Sequence, residues 1–552
     1  MPERNFSLRT RTLLLIFPVT FLILLLATLI FEGYQPHPRV NELIISSIGD
    51  ASFLNPILAQ DSASSDINSF VFNGLIKYNR NLDGFVGDLV ESWKVEDGSE
   101  PVITFHLRKG VHWHDGKRFT ADDVKFTYDK IMDPKTNTVR RSDFELVKKA
   151  EVLDSYTFRV TYKQPFSPGL ATWGMGIIPK HLLENVDINT APFNRRPIGT
   201  GPFRFVDWVS DEKIVVEANP RYHEGRPGLN GIVYRIIPEA ALNEMEILTR
   251  GVDYSGIFPY EYRRMTQVPF LKVYSQPSLG YTYIGYNFKN PLFEDRRVRQ
   301  ALTYAINRKE IVQYVLYGLG EVATGPFPNQ MWYWNPNVKP IPYDPQKARQ
   351  LLAEAGWKDK NSDGVLVKDG KPFKFTLITN SGNDTRRDVG VLVQRQLRDI
   401  GIDVSLELYE WSVFLNDFIN VRHFDACILG WSLSVDPDAY EIWHSSQIEK
   451  GFNFISYRNS AVDRLWEEGR REYDMEKRKQ IYWKIHELIA EDQPYTFLFV
   501  PLAISALQNK FALREKDVTG EEGFHEIKME KAGLLYDLIK WYVPPNKAVV
   551  ER

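Results

Sequence analysis

Leu107–Tyr128, LRKGVHWHDGKRFTADDVKFTY, passes from strand to turn to helix in one short stretch. Just upstream, Ile103, Phe105 and Leu107 alternate with Thr104, His106 and Arg108, the period-two pattern of a half-buried strand. His114-Asp115-Gly116-Lys117 predicts a turn in which Gly116 supplies a positive φ. Thr120 is the expected N-cap. Asp123 closes an acidic form of the capping box, and Val124, Phe126 and Tyr128 follow in the helix.

Beyond this stretch the chain has 552 residues, enough for two or three domains with large cores. Its net charge of −3 leaves no polybasic footprint, which argues against a nucleic-acid partner. Aromatic residues make up 13%, a share that suits both core packing and a site gripping varied ligands. The single cysteine, Cys427, excludes an intrachain disulfide and lies in the apolar run 424–429, where it reads as a small core hydrophobe.

At the N-terminus, Arg4, Arg9 and Arg11 precede an uncharged apolar run of 19 residues, Leu13–Phe31. That is near the roughly 20 residues that span a bilayer and longer than a secretory apolar segment of about 7–15. Leu25-Leu26-Ala27-Thr28-Leu29 is a poor cleavage site. The segment 1–35 is therefore expected to be a signal anchor with a short tether, the alternative being a cleaved signal peptide. The arginines place the rest of the chain outside the cytoplasm.

The second half alternates strands and helices. Val298, Ala301, Leu302, Ala305 and Ile306 mark an amphipathic helix. Asp344-Pro345 starts another, which Gly356 stops. Phe373–Thr379, a helix near Arg387–Asp399 and Ile402–Leu408 predict a βαβ unit. Ser460 is the expected cap of a helix carrying Val462, Leu465 and Trp466. This pattern is α/β.

Signatures of catalysis are missing: the chain has no G-x-S-x-G, no H-E-x-x-H and no Walker loop. Gly199-Thr200-Gly201-Pro202 reads as a turn and not as a phosphate cradle. His112-x-His114 is a weak metal pair. Asp359–Gly364 matches the first half of a calcium loop, but Gly370 stands where a bidentate glutamate is needed. No cofactor and no metal are expected.

Several stretches together resemble the family-5 extracellular solute-binding proteins of ABC transporters, the dipeptide-, oligopeptide- and nickel-binding receptors. They are the opening motif, Leu89–Val95 with Asp97-Gly98, Pro197–Phe203, Asp295–Leu302 with Ala305–Arg308, and Gly430-Trp431-Ser432 with Asp436-Pro437-Asp438. Order and spacing fit from about residue 40 to about residue 530. The resemblance implies a type II periplasmic-binding-protein-like α/β fold. Two lobes are joined by a hinge, with a small domain inserted in the first. Lobe I would be 40–72, 196–280 and 498–540, the inserted domain 73–195, and the distal lobe 281–497. Hinge crossings are expected near residues 198, 282 and 497.

The implied function is a non-enzymatic, monomeric receptor on the extracytoplasmic face of the inner membrane. It would bind peptides between its lobes and deliver them to ABC permease subunits. The fold does not fix the ligand, so a sugar, opine, metal chelate or haem is the alternative, as is a membrane-anchored sensor or adaptor. A receptor for unrelated peptides must hold an ammonium and a carboxylate, which want an acid and an arginine. In the family's peptide binders an aspartate shortly after Gly-Trp takes the ammonium. Here Ser434 stands about there, which argues against the usual free-amine contact. The ligand-binding candidates are Trp431, Ser432, Ser434 and Asp436 in that loop. Arg386 or Arg387 at the βαβ helix would meet a carboxylate; Tyr286 and Asn287 lie at the crossing into the distal lobe, and Trp411 follows the βαβ strand.

Overall fold

The computed structural model describes residues 41–516, 522–545 and 547. The N-terminal anchor expected at 1–35 lies outside the described residues, and among these no helix is long and apolar enough to cross a membrane.

The opening motif forms as its residues dictate. Val102–Leu107 lies inside a four-stranded antiparallel sheet, between Val90–Glu96 and Thr157–Tyr162, with Val147–Asp154 beyond. Gly116 takes φ 91° in the turn. The helix Ala121–Met132 starts where Thr120 N–H donates to Asp123 Oδ2 at 3.0 Å.

The turn is tied to the chain's return crossing through His114. Its Nδ1 accepts from Gly199 N–H at 3.2 Å and its Nε2 donates to Gly201 O at 3.0 Å. Burial holds this imidazole neutral, with its pKa lowered to about 4. Both ring nitrogens are used, so His112-x-His114 offers no metal pair. The return crossing lies directly on the end of the helix Ser62–Val71, where Gly201 N–H donates to Val71 O at 2.8 Å. A Cβ at Gly199 would stand 1.8 Å from Val71 O. Close approach, not phosphate binding, is why Gly199-Thr200-Gly201 carries glycines.

The large sheet follows the order Asp403–Tyr409, Lys374–Asn380, Ala426–Ser432, Gly280–Tyr286, Tyr495–Gln508, Tyr254–Gly256, Glu42–Ser47, Gly231–Ile236, Lys213–Ala218, Phe203–Val209. Tyr495–Gln508 has 14 residues and changes partners partway. Its first half pairs with Gly280–Tyr286 and, through Pro501, with Gly320. From Leu502 onward it pairs with Leu271–Pro277 and then with Tyr254–Gly256. The neighbouring chain also passes from one half to the other at Ser278-Leu279, between its strands Leu271–Pro277 and Gly280–Tyr286. Two sheet halves are thus joined at one line.

In the distal half, the predicted amphipathic helix is Arg296–Ala305, with Val298, Ala301, Leu302 and Ala305 buried. Asp344 caps Pro345–Glu354 by accepting from Gln346 and Lys347 N–H. The βαβ unit is Lys374–Asn380, Asp384–Arg398 and Asp403–Tyr409, its strands parallel. Its helix starts earlier than expected because Asn383 accepts from Arg386 N–H at 3.0 Å. Ser460 is not the cap of its helix. Asn459 holds that place, accepting from Ala461 and Val462 N–H, and Ser460 is the first helical residue. Asp359–Gly370 forms hairpin strands, and Asn361 Oδ1 accepts from Asp363 and Val365 N–H in an Asx turn. Cys427 is buried in Ala426–Ser432, and burial pushes its thiol up to about 12.

Gly199→Ala forces Val71 or the return crossing to move. The variant should lose about 1–3 kcal/mol in urea unfolding, the range for overpacked interiors. A loss below about 0.5 kcal/mol would contradict the close-approach account.

Candidate functional site

A cavity of about 890 Å³ lies between the two sheet halves, with Arg140, Asp143, Pro168, Ala171, Thr172 and Met175 of the inserted region also lining it. It adjoins a second of about 1090 Å³, and Ala59, Ser65, Asp66, Arg140 and Met175 line both. The halves touch around it. Trp411 packs so tightly on Gly49 that a Cβ there would sit 2.7 Å from the indole, and Tyr260 OH donates to Asp384 Oδ2 at 3.1 Å.

The strand Ala426–Ser432 delivers the Gly-Trp loop to the cavity wall. Trp431 lies nearly parallel to Phe454 at 5.8 Å and to Tyr283 at 6.4 Å, and its Nε1 donates to Tyr495 OH at 3.3 Å. An indole packed against two aromatic rings and tied through its Nε1 presents a rigid wall. Ser432 and Ser434 follow it along the same wall, and Tyr333 OH donates to the Ser434 carbonyl at 3.4 Å.

Adjacent residues on a helix point about 100° apart, and this separates Arg386 from Arg387. Arg387 is on the outside, ion-paired with Asp384 at 2.6 Å and Asp388 at 3.0 Å. Arg386 turns inward to the cavity, and its Nη1 donates to Asn380 Oδ1 at 2.8 Å. Desolvation lowers its pKa to about 10, with only Tyr283 and Cys427 opposing. Among the described residues no carboxylate pairs with it.

The acids of the Asp436-Pro437-Asp438 loop are already engaged. Asp436 receives a bidentate pair from Arg478, 2.8 Å on each oxygen, and also accepts from Asp438 N–H at 3.0 Å. Asp438 lies 3.0 Å from Arg470 Nε. Arg470 is buried, stacks at 4.3 Å on Tyr440 and 4.8 Å on Phe166, and donates to Ser142 O at 2.9 Å. It therefore ties the distal half to the inserted sheet region. A second tie is a carboxyl pair. Glu441 accepts from Ser142 Oγ at 3.0 Å and hydrogen-bonds Asp143. Burial first, then the charge of Asp143, raises Glu441 well above its ordinary range, so it keeps its proton and donates it to Asp143.

Six of the sequence candidates line this cavity: Trp431, Ser432, Ser434, Asp436, Arg386 and Trp411. Tyr286 and Asn287 lie away from it. Tyr286 faces the distal core, its OH 2.7 Å from Thr496 Oγ1, and Asn287 Nδ2 donates to Arg422 O and Phe424 O. Position along the strand decides this, since Gly280, Tyr281 and Thr282 at its start line the cavity while Tyr286 is at its other end. The paired Asp143 and Glu441, the two arginines Arg470 and Arg478, and Asp66 were not anticipated. Arg470 and Arg478 follow the Asp-Pro-Asp loop by more than thirty residues, so only their wholly helical setting was legible.

The larger cavity has its own acids. Asp88, His223 and Glu224 bring ligand atoms within 4.8 Å of one another. Lys77 Nζ already stands 2.8 Å from Glu224 and 3.6 Å from Asp88, so an ammonium fills the place of a cation.

The sequence profile described as bacterial extracellular solute-binding proteins, family 5 (middle), matches residues 84–452. The oligopeptide-binding protein AppA of Bacillus subtilis is 39% identical over 511 residues, covering 91% of each chain. Its structure in complex with a nonapeptide superposes with a TM-score of 0.86 over 92% of this chain and 99% of that one. NikZ of Campylobacter jejuni, in complex with Ni(L-His), is 28% identical with a TM-score of 0.81, over 92% of this chain and all of that one.

The Glu441–Asp143 tie takes up a proton on forming, so it weakens as pH rises above the ordinary glutamate value of 4.5. Glu441→Gln, a neutral isostere, should gain thermal stability relative to the unmutated protein between about pH 5 and about pH 8. A relative stability that falls over that range would contradict the assignment of the proton.

Proposed function

Since the chain belongs to the bacterial extracellular solute-binding proteins of family 5, we propose that it is the extracytoplasmic receptor of an ABC importer, closing on peptides and delivering them to the permease. The observation that carries the peptide reading is Arg386, a half-buried, desolvated guanidinium facing the cavity, with no carboxylate partner among the described residues. A peptide C-terminus supplies that partner, and a desolvated arginine binds a carboxylate strongly and directionally. The rigid wall of Trp431 accommodates varied side chains without selecting among them.

Length follows from the two adjoining cavities. The larger, about 1090 Å³, exceeds the usual range of roughly 300–1,000 Å³ for small-molecule sites. An extended oligopeptide fits this space better than a dipeptide, in keeping with the nonapeptide held by the Bacillus subtilis relative.

Closure is a rotation of lobe I (40–72, 196–280, 498–540) with its inserted domain 73–195 against the distal lobe 281–497. Support for the hinge comes from the partner switch between Pro501 and Leu502 and the parallel crossing at Ser278-Leu279. Such short crossings absorb the φ/ψ changes of domain closure. The receptor acts as a monomer held to the inner membrane by 1–35, near its permease.

Two outcomes check this reading. In calorimetry with a synthetic nonapeptide, Arg386→Ala should cost roughly 2–5 kcal/mol, as for one partner of a buried pair. Arg387→Ala should cost less than about 0.5 kcal/mol. Equal effects, or none at Arg386, would contradict the carboxylate anchor. After alkaline carbonate washing, the full-length protein should stay in the membrane pellet with its N-terminal segment intact. A soluble product lacking that segment would replace the anchor with a cleaved signal.

A further inference from the structure

Resting on the peptide reading, we propose that Asp66 is a cation subsite of the cavity, taking an ammonium or guanidinium group of the bound peptide. No sequence motif points to it; its position, and the absence of a cation beside it among the described residues, do. The helix Ser62–Val71 buries Ala63, Ile67, Phe70 and Val71, and its Ser62, Ser65, Asp66 and Ser69 are exposed. Ser65 and Asp66 line both cavities where they join.

The other acids lining these cavities are satisfied. Asp436 and Asp438 hold Arg478 and Arg470. Asp143 and Glu441 share a proton beside Arg140. Asp88 and Glu224 hold Lys77, and Asp537 lies 2.6 Å from Arg80 Nη2. Asp61 is spent on its helix, accepting from Ser64 N–H at 2.8 Å and Ser64 Oγ at 2.7 Å. Asp66 has a single donor, Tyr234 OH at 3.2 Å, and among the described residues no cation pairs with it.

Its side chain is open to the cavity yet enclosed by the protein around it. Burial, reinforced by Asp61, pushes its carboxyl up to about 6. An incoming cation would favour its ionised form. The position also explains how a receptor with Ser434 in the Gly-Trp loop can still recognise a positive charge. Asp66 belongs to the wall opposite Arg386, on the other sheet half. A ligand bearing both charges would bridge the two halves, so that each charge is satisfied only when they meet.

The α-ammonium and a basic side chain are separate sources of the cation, and three peptides distinguish them. All have the same uncharged octapeptide core and a free C-terminus. One has a free amine, one is N-acetylated, and one is N-acetylated with a single lysine. Each is titrated by calorimetry into the full-length protein and Asp66→Asn, with melting temperature as the check on folding and Asp66→Ser as a second variant. For the unmutated protein, the free-amine or the lysine peptide should bind roughly tenfold or more tightly than the acetylated one, and Asp66→Asn should abolish that advantage. Affinity for the acetylated peptide should be unchanged. The cation source is the peptide whose advantage disappears. If Asp66→Asn and Asp66→Ser keep the advantage, or the unmutated protein shows none, the subsite is overturned while the peptide reading stands. If none of the three peptides binds the unmutated protein, both fall.

Discussion

One strand, Tyr495–Gln508, belongs to both halves of the large sheet, and the site exists because of it. This strand carries sheet hydrogen bonding from one half to the other, so both bodies that wall the cavity are built on it. Pro501 lies at the switch, with no N–H to donate, so the ladder changes partners where it is weakest. Ser278-Leu279 crosses beside it. The cavity, the paired charges on its walls and the hinge proposed for its closure all refer to this line.

Charge pairing then decides which groups are free to act. Buried ions inside proteins are costly unless paired, and most of those here are paired within the chain. Asp436 with Arg478 and Asp438 with Arg470 stiffen the Gly-Trp loop and dock it on the inserted sheet region. Among the described residues lining the cavity, Arg386 has no carboxylate partner and Asp66 has a single hydrogen-bond donor and no cation, and they come from opposite sheet halves. A cavity holding one unanswered charge of each sign suits a zwitterion better than a neutral sugar.

Local physics was legible in the sequence where a single segment decides the outcome. The strand–turn–helix at 102–132, the Asp344 cap and the parallel βαβ unit all form as their residues dictate. Ser460 lost the cap to Asn459 because both are good caps and only the entry angle of the chain chooses between them. The family resemblance brought attention to the Gly-Trp loop and to the arginine pair. It could not separate Arg386 from Arg387, since that depends on where Asn383 starts the helix. Asp436 has the right chemistry for an ammonium, but its partner Arg478 arrives from a distant helix. Asp66 was invisible for the converse reason, since an acid among serines on a short helix looks like a solvated face until a cavity is found over it.

The most direct test is mass spectrometry of whatever remains bound to the protein after gentle purification from cells, released by denaturation. The account predicts a ladder of peptides longer than dipeptides and carrying free carboxylates. A single non-peptide species in stoichiometric amount would contradict it and would recast Arg386 and Asp66 as contacts for another solute.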